Sequence, residues 1–216
     1  MDQEDQVILP QFPLSIVAFP DEKVNLHIFE ARYKQLIKEC YENDTCFGIA
    51  PFYKGELIFY GTEMKVLEIS KVYEDGKMDI KTIGKRIYKI HHFEKKMEDK
   101  LYPAATVSFY QEEKKEAFPS MKTQILDAMS SLFEMLKIKK SIADFSSEFS
   151  SYGVVHHVGL SFDDKITLLS QRSEAKRLEL ILNHLNQFLP QVNKAEELKQ
   201  RAALNGHFKN LESPDF

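Results

Sequence analysis

The sequence predicts an α+β fold: a β-rich subdomain over residues 1–115, a helical bundle over 116–205 and a short C-terminal tail over 206–216. Three observations lead there. In the first half, apolar and polar residues alternate in short segments with a period of two, the pattern of half-buried strands. A charged run, Gln111–Glu116, then interrupts the pattern, and Pro119 marks a helix start. Beyond it the apolar period becomes 3.6, that of amphipathic helices packed into a bundle.

The elements follow in order. Val24, Leu26 and Ile28 alternate with Asn25 and His27 and form a strand. Tyr33, Leu36, Ile37, Cys40 and Tyr41 recur at helical spacing, so a helix covers 30–42, ended by Asn43 and Asp44. Cys46–Phe52 is a short apolar run with Gly48 inside and Pro51 near its end. Two further strands, Leu57–Tyr60 and Met64–Val72, are separated by Gly61. In the second of them Met64 and Val66 share a face, then Leu67 and Ile69 take over, a change of phase that predicts a β-bulge. Asp75-Gly76 supplies the positive-φ positions of a hairpin turn. Met78–Ile90 returns as a long strand with Gly84 as a second bulge, and Ala105, Val107 and Phe109 mark the last strand.

In the second half, Ile125, Met129, Leu132, Phe133 and Leu136 make one helical stripe. Ser161 with Asp164 forms a capping box ahead of Ile166, Leu168 and Leu169. Ser173 opens a helix with Leu178, Ile181, Leu182, Leu185 and Phe188 on one face. Leu198 and Leu204 belong to a last helix, with Gly206 as its C-terminal cap.

Composition bounds the function. A chain of 216 residues buries roughly 70% of its unfolded surface and needs no staples. The net charge of -4 argues against a dedicated nucleic-acid binder. No apolar run is long enough to span a membrane. The opening MDQEDQV is the reverse of a secretory leader, so the expected location is the cytoplasm. Cys40 and Cys46 match no zinc or redox spacing and read as semi-buried thiols.

No catalytic, cofactor-binding or metal-binding residue is expected. There is no G-x-x-x-x-G-K-[ST] loop and no G-x-S-x-G elbow. Ser173–Lys176 fits S-x-x-K, but its companion motifs are missing and Ser173 is better used as a cap. His91–His92 and His156–His157 are adjacent pairs, whose side chains on a strand point to opposite faces, and no third ligand has zinc spacing to them. Asp163–Asp164 fits a helix N-terminus. Lys81, Lys85, Arg86, Lys89, Lys95 and Lys96, with Tyr88 and Phe93 interleaved, leave two readings open: a phosphate-binding strip, or lysines guarding a strand edge. The acidic net charge favours the second.

ILPQFPLSIVAFPDEKVNLHIFEARYKQLI (8–37) resembles the opening of the Lon N-terminal domain family. Pro10, Pro13, Leu14, Phe19, Pro20, Leu26, Phe29, Glu30, Arg32 and Tyr33 match its L-P-x-x-P-L, V-x-F-P-G and F-E-x-R-Y pattern. Gly61-Thr62, the D-G hairpin, I-G-K-R-I-Y-K-I (83–90) and Tyr102–Ala105 continue the resemblance to about residue 110, and the helical remainder is similar to members that carry a bundle. Asp21 stands where the family usually has Gly, and Asp tolerates the left-handed region. Ile83 replaces the commoner Glu.

The resemblance implies a PUA-like β pseudo-barrel. It also implies a non-catalytic module that recognises unfolded or tagged polypeptides, a stand-alone chain without the family's ATPase and Ser–Lys protease modules. Such a module is expected to present an exposed apolar groove between the β half and the bundle. The alternative is an RNA-binding PUA-like module, which rests on fold analogy. Oligomeric state has no signal in the sequence. The candidate partner-binding corner is the strand-to-helix junction at Phe29, Glu30, Arg32 and Tyr33, where helix-start N–H groups, a charge and a ring coincide. Phe12, Leu14 and Phe19 lie nearby in the resembled fold. The same residues also suit packing, with Glu30 on the helix dipole and Arg32 paired to a carboxylate.

Overall fold

The structure, a computed structural model, describes residues 5–110, 118–146 and 149–207, the last five through their backbone alone. The charged run at 111–116 lies outside the described residues. Two compact units form, Met1–Lys115 with Ser161–Glu174, and Glu116–Leu160 with Ala175–Phe216. The segment 161–174, which periodicity groups with the later helices, belongs with the strands.

The strands are β1 (Gln6–Pro10), β2 (Lys23–Ile28), β3 (Cys46–Ile49), β4 (Phe52–Tyr53), β5 (Glu56–Leu57), β6 (Tyr60–Val72), β7 (Met78–Glu94) and β8 (Ala104–Phe109). The helices are α1 (Ala31–Glu42), α2 (Pro119–Met135), α3 (Ala143–Ser146), α4 (Ser151–Val154), α5 (Phe162–Ser170) and α6 (Glu174–His207).

In the first unit the antiparallel sheet runs β1-β8-β7-β6-β3, and β2 pairs with β7. β7 is the spine: β6 lies along one edge, and the other is shared by β2 over the first half and β8 over the second. Its lysines therefore guard no edge, contrary to the sequence expectation. The chain after β1 returns to β3 through the parallel bridges Gln11↔Gly48 and Leu14↔Pro51. Backbone bonds Phe12 N–H to Gly48 O (2.7 Å) and Phe52 N–H to Leu14 O (2.8 Å) close the sheet on itself as a pseudo-barrel.

Register shifts fall where the sequence changes phase. One lies between Val66 and Glu68, and another sets Thr62–Met64 against Ile87–Gly84. Gly61 lies inside β6 rather than between two strands. It and Gly48 face the fully buried Tyr88, whose hydroxyl donates to Gln11 Oε1 at 2.7 Å. A side chain at either glycine would displace that ring, so the sequence signal for a break is here a signal for close approach.

α1 buries Tyr33, Leu36, Ile37 and Cys40 against Phe47, Met64 and Ile80. Tyr41 is 48% exposed, because two i,i+4 steps from Tyr33 rotate it about 80° off the buried stripe. Asp21 adopts φ 62°, so the departure from the family's Gly keeps the left-handed turn.

In the second unit Pro119 occupies the first turn of α2, and Ile125, Met129, Leu132 and Phe133 are buried. Leu136 falls one residue past the helix and is exposed. α6 is one continuous helix through Pro190, not two, and Gly206 lies within it rather than capping it. Its apolar stripe continues across the proline, from Leu185 to Val192, both buried. Pro190 and Asn186, whose carbonyl loses its N–H partner there, are exposed to water. Arg177 is buried, donating to Ser151 Oγ at 2.9 Å and stacking over Tyr152. In the first unit the Ser161–Asp164 capping box of α5 forms in both directions. No helix among the described residues is long and apolar enough to cross a membrane.

Candidate functional site

A cleft of about 600 Å3 opens in the first unit. Four pieces of chain build it. Pro13, Leu14 and Ser15 come from the segment that closes the barrel, and Arg32 and Tyr33 from the first turn of α1. Phe52 and Leu57 come from the β4–β5 hairpin, and Phe93, Lys95 and Pro103 from the end of β7 and the approach to β8. The volume lies in the range of small-ligand and side-chain pockets, and most of the lining is apolar. Phe52 is 44% exposed although it lines a concave surface, so its ring is available to a ligand.

Each wall is held from behind. Phe12 stacks on Tyr33 with ring centroids 3.9 Å apart, which fixes the phenol at the cleft floor. Burial raises the Tyr33 pKa, so the hydroxyl stays protonated and can donate. The β4–β5 hairpin is pinned on α5 by the Tyr53–Phe162 stack (4.2 Å) and the Lys54–Asp163 ion pair (3.0 Å). The chain leading to Pro103 is tied to α1 at Glu39. Its carboxylate accepts from Lys100 Nζ (2.8 Å), Tyr102 Oη (2.6 Å) and Gln35 Nε2 (2.9 Å).

These bonds, Lys100's first, hold the Glu39 pKa below the usual carboxylate range. A folded pKa lower than the unfolded one stabilises the fold above the unfolded value, and the gain is lost as pH falls through the folded value. The parent protein is therefore expected to exceed Glu39→Gln in stability at neutral pH, with the gap closing as pH drops below about 4. Denaturant melts at several pH values check this; a gap unchanged down to pH 2 would contradict it.

The residues singled out from sequence divide. Leu14, Arg32 and Tyr33 line the cleft. Glu30 stands beside it, its Oε2 accepting from Arg32 Nε at 2.9 Å, with Nη2 at 2.7 Å. Phe12 is a buried support, and Phe19 is fully buried. Phe29 is exposed but outside the lining, its ring stacked near His27. At the helix start, the Tyr33 and Lys34 N–H groups are taken by the Glu30 carbonyl. Sequence reasoning missed Phe52, Leu57 and Pro103 as lining residues. It noted Phe93 and Lys95 only as part of the basic strip. The signal available was the aromatic pair Phe52-Tyr53 set between Pro51 and Lys54-Gly55, a turn-flanked position.

Two cations of the basic strip are already paired. Lys81 pairs with Glu68 at 3.0 Å. Arg86 grips the buried Glu63 through two bonds of 2.8 and 3.0 Å and lies over Phe109. Tyr88 is buried, and only Phe93 and Lys95 reach the cleft. His91 bonds Ser108 Oγ at 2.8 Å, and His157 packs edge-on to Phe145. Among the described residues no group of three or more His, Cys, Asp or Glu is placed to hold a metal ion. Cys40 is buried, which pushes its thiol up to about 11 and leaves it un-ionised.

The solved Lon N-terminal domain protein from Xanthomonas campestris superposes with a TM-score of 0.64 at 23% identity, covering 82% of this chain and 98% of that one. The N-terminal domain of the Mycobacterium avium complex Lon protease gives 0.63 at 15% identity, covering 83% and 98%. These likenesses establish the fold, a β pseudo-barrel followed by helices. No curated protein matches the chain. The family model of the ATP-dependent protease La (LON) substrate-binding domain matches residues 8–187, most of the chain, and with the fold and the F-E-x-R-Y corner in place the chain belongs to that family.

Proposed function

We propose that this chain is a non-catalytic polypeptide-recognition module that takes its ligand in the cleft of the first unit. The observation that carries the reading is the cleft itself: a largely apolar concavity with a half-exposed Phe52, walled by four segments that are each braced from behind. An apolar surface left open to water costs free energy unless a partner covers it. Polypeptides with exposed apolar side chains are such partners, and the family model is that of a substrate-binding domain. The paired state of Lys81 and Arg86 weighs against the RNA reading. A cytoplasmic location suits a ligand class of unfolded or tagged proteins.

The test is fluorescence polarisation with a labelled, permanently unfolded model polypeptide. Saturable binding supports the reading; flat polarisation across the accessible concentration range contradicts it. A purified sample is also expected to hydrolyse neither ATP nor casein, because the sequence carries no P-loop and no nucleophile elbow. Activity that persists through several columns and disappears on a point substitution in this chain would overturn that expectation.

A further inference from the structure

We propose that the cleft selects a peptide chemistry: an extended segment in which an aromatic or aliphatic side chain lies next to a carboxylate side chain. The inference rests on the polypeptide-binding reading above and narrows it. The chain as a whole is acidic, with a net charge of -4. The cleft inverts that balance, because its described lining contains two cations, Arg32 and Lys95, and no acidic side chain.

The cations differ in readiness. Glu30 already takes Nε and Nη2 of Arg32, whose guanidinium also lies over the Tyr33 ring at 4.6 Å. A guanidinium carries five N–H donors, so donors remain for a ligand oxygen, from a group held in place by its stack and its pair. Lys95 brings a compact ammonium with three donors, on an exposed side chain just past the end of β7. The same lining carries apolar wall, with Leu14, Phe52, Leu57 and Phe93 among its aliphatic and aromatic members. A ligand that fills the wall with one side chain and reaches the cations with a neighbouring carboxylate satisfies both. The wall also carries the Tyr33, Phe52 and Phe93 rings, on which a nucleic-acid base could stack, so an oligonucleotide is the competitor that the test includes.

The test uses the full chain and three labelled peptides of equal length, each with a central Phe-Leu pair flanked by Asp, Asn or Lys. The Asp peptide is expected to bind about tenfold tighter than the Asn peptide at low salt, a margin that shrinks as salt rises. Lys95→Glu is expected to remove that margin; Arg32→Gln narrows it. Lys96→Glu, an exposed neighbour outside the lining, keeps it. Thermal melts confirm that each variant folds. Equal binding of the Asp and Asn peptides, with Phe52→Ser still weakening both, overturns this inference and leaves the polypeptide reading standing. No binding by any of the three overturns both, as does Lys95-dependent binding of a labelled single-stranded oligonucleotide in their place.

Discussion

Phe52→Ser is expected to weaken binding of an unfolded polypeptide by about thirtyfold, the loss that follows truncation of a hot-spot aromatic worth about 2 kcal/mol. The ring is nearly half exposed, so its removal leaves no core cavity and should barely move the melting temperature. Its position depends on backbone bonds to Leu14 and on the hairpin's anchorage at Phe162 and Asp163, none of which involves the Phe52 side chain. Phe59→Ser is the matched control. Phe59 is 57% exposed but does not line the cleft, so its loss should leave affinity within about twofold. Equal losses in both variants would mean that the polypeptide responds to general surface hydrophobicity and not to the cleft.

Gly84→Ala is expected to be the most damaging single-methyl change in the first unit. An added Cβ at Gly84 would collide with the carbonyl carbon and oxygen of Phe19, which are backbone atoms and cannot rotate away. The approach is fixed from both sides. Gly84 N–H donates to Glu22 O at 2.9 Å, and Asp21 N–H donates to Gly84 O at 3.0 Å. Glu22 in turn caps Phe19 N–H with its carboxylate at 2.9 Å. Forcing the turn off the strand breaks these bonds and unseats the fully buried Phe19. Overpacking of this kind costs roughly 1–3 kcal/mol, which for a chain of this size lowers the melting temperature by about 2–12 °C. Gly153→Ala in α4 is the control: its nearest neighbour is Ser150 Oγ at 3.4 Å, an ordinary contact. A Gly84→Ala protein that melts with the parent would show that the turn after Phe19 is not clamped to β7.

β2 and much of β7 were legible because buried and exposed residues alternate along them, and period two reports that directly. Even the phase change at Leu67 and the bulge at Gly84 follow from local pattern. Closure of the barrel was not legible. It depends on parallel contacts of residues 11–14 with 48–51, and neither segment alternates. Gly61 misled for a related reason: glycine marks breaks in most strands, but here it admits the Tyr88 ring. The two helices expected after Ser173 are one, because a stripe buried on both sides of Pro190 outweighs one lost backbone bond.

The site was half legible. The corner motif marked Arg32 and Tyr33, and the barrel-closing segment brought Leu14 beside them. Phe12 and Phe19 have the composition of recognition residues but serve the core, since an aromatic at a junction packs wherever a neighbouring element covers it. A substitution at Phe12 would therefore test folding more than binding. Phe52 and Leu57 of one hairpin meet Lys95 from the end of β7, and apolar clefts impose no spacing code of the kind metals and phosphates do.

A polypeptide chain is expected to occupy this cleft. The sequence contains no tryptophan, so Phe52→Trp places a lone indole reporter at the cleft mouth. Titration with a permanently unfolded, tryptophan-free polypeptide should shift its emission to the blue and raise its polarisation saturably, with the same midpoint as binding measured through a label on the polypeptide. Binding seen by the label with an indole spectrum that does not move would place the ligand elsewhere on the molecule and contradict the claim.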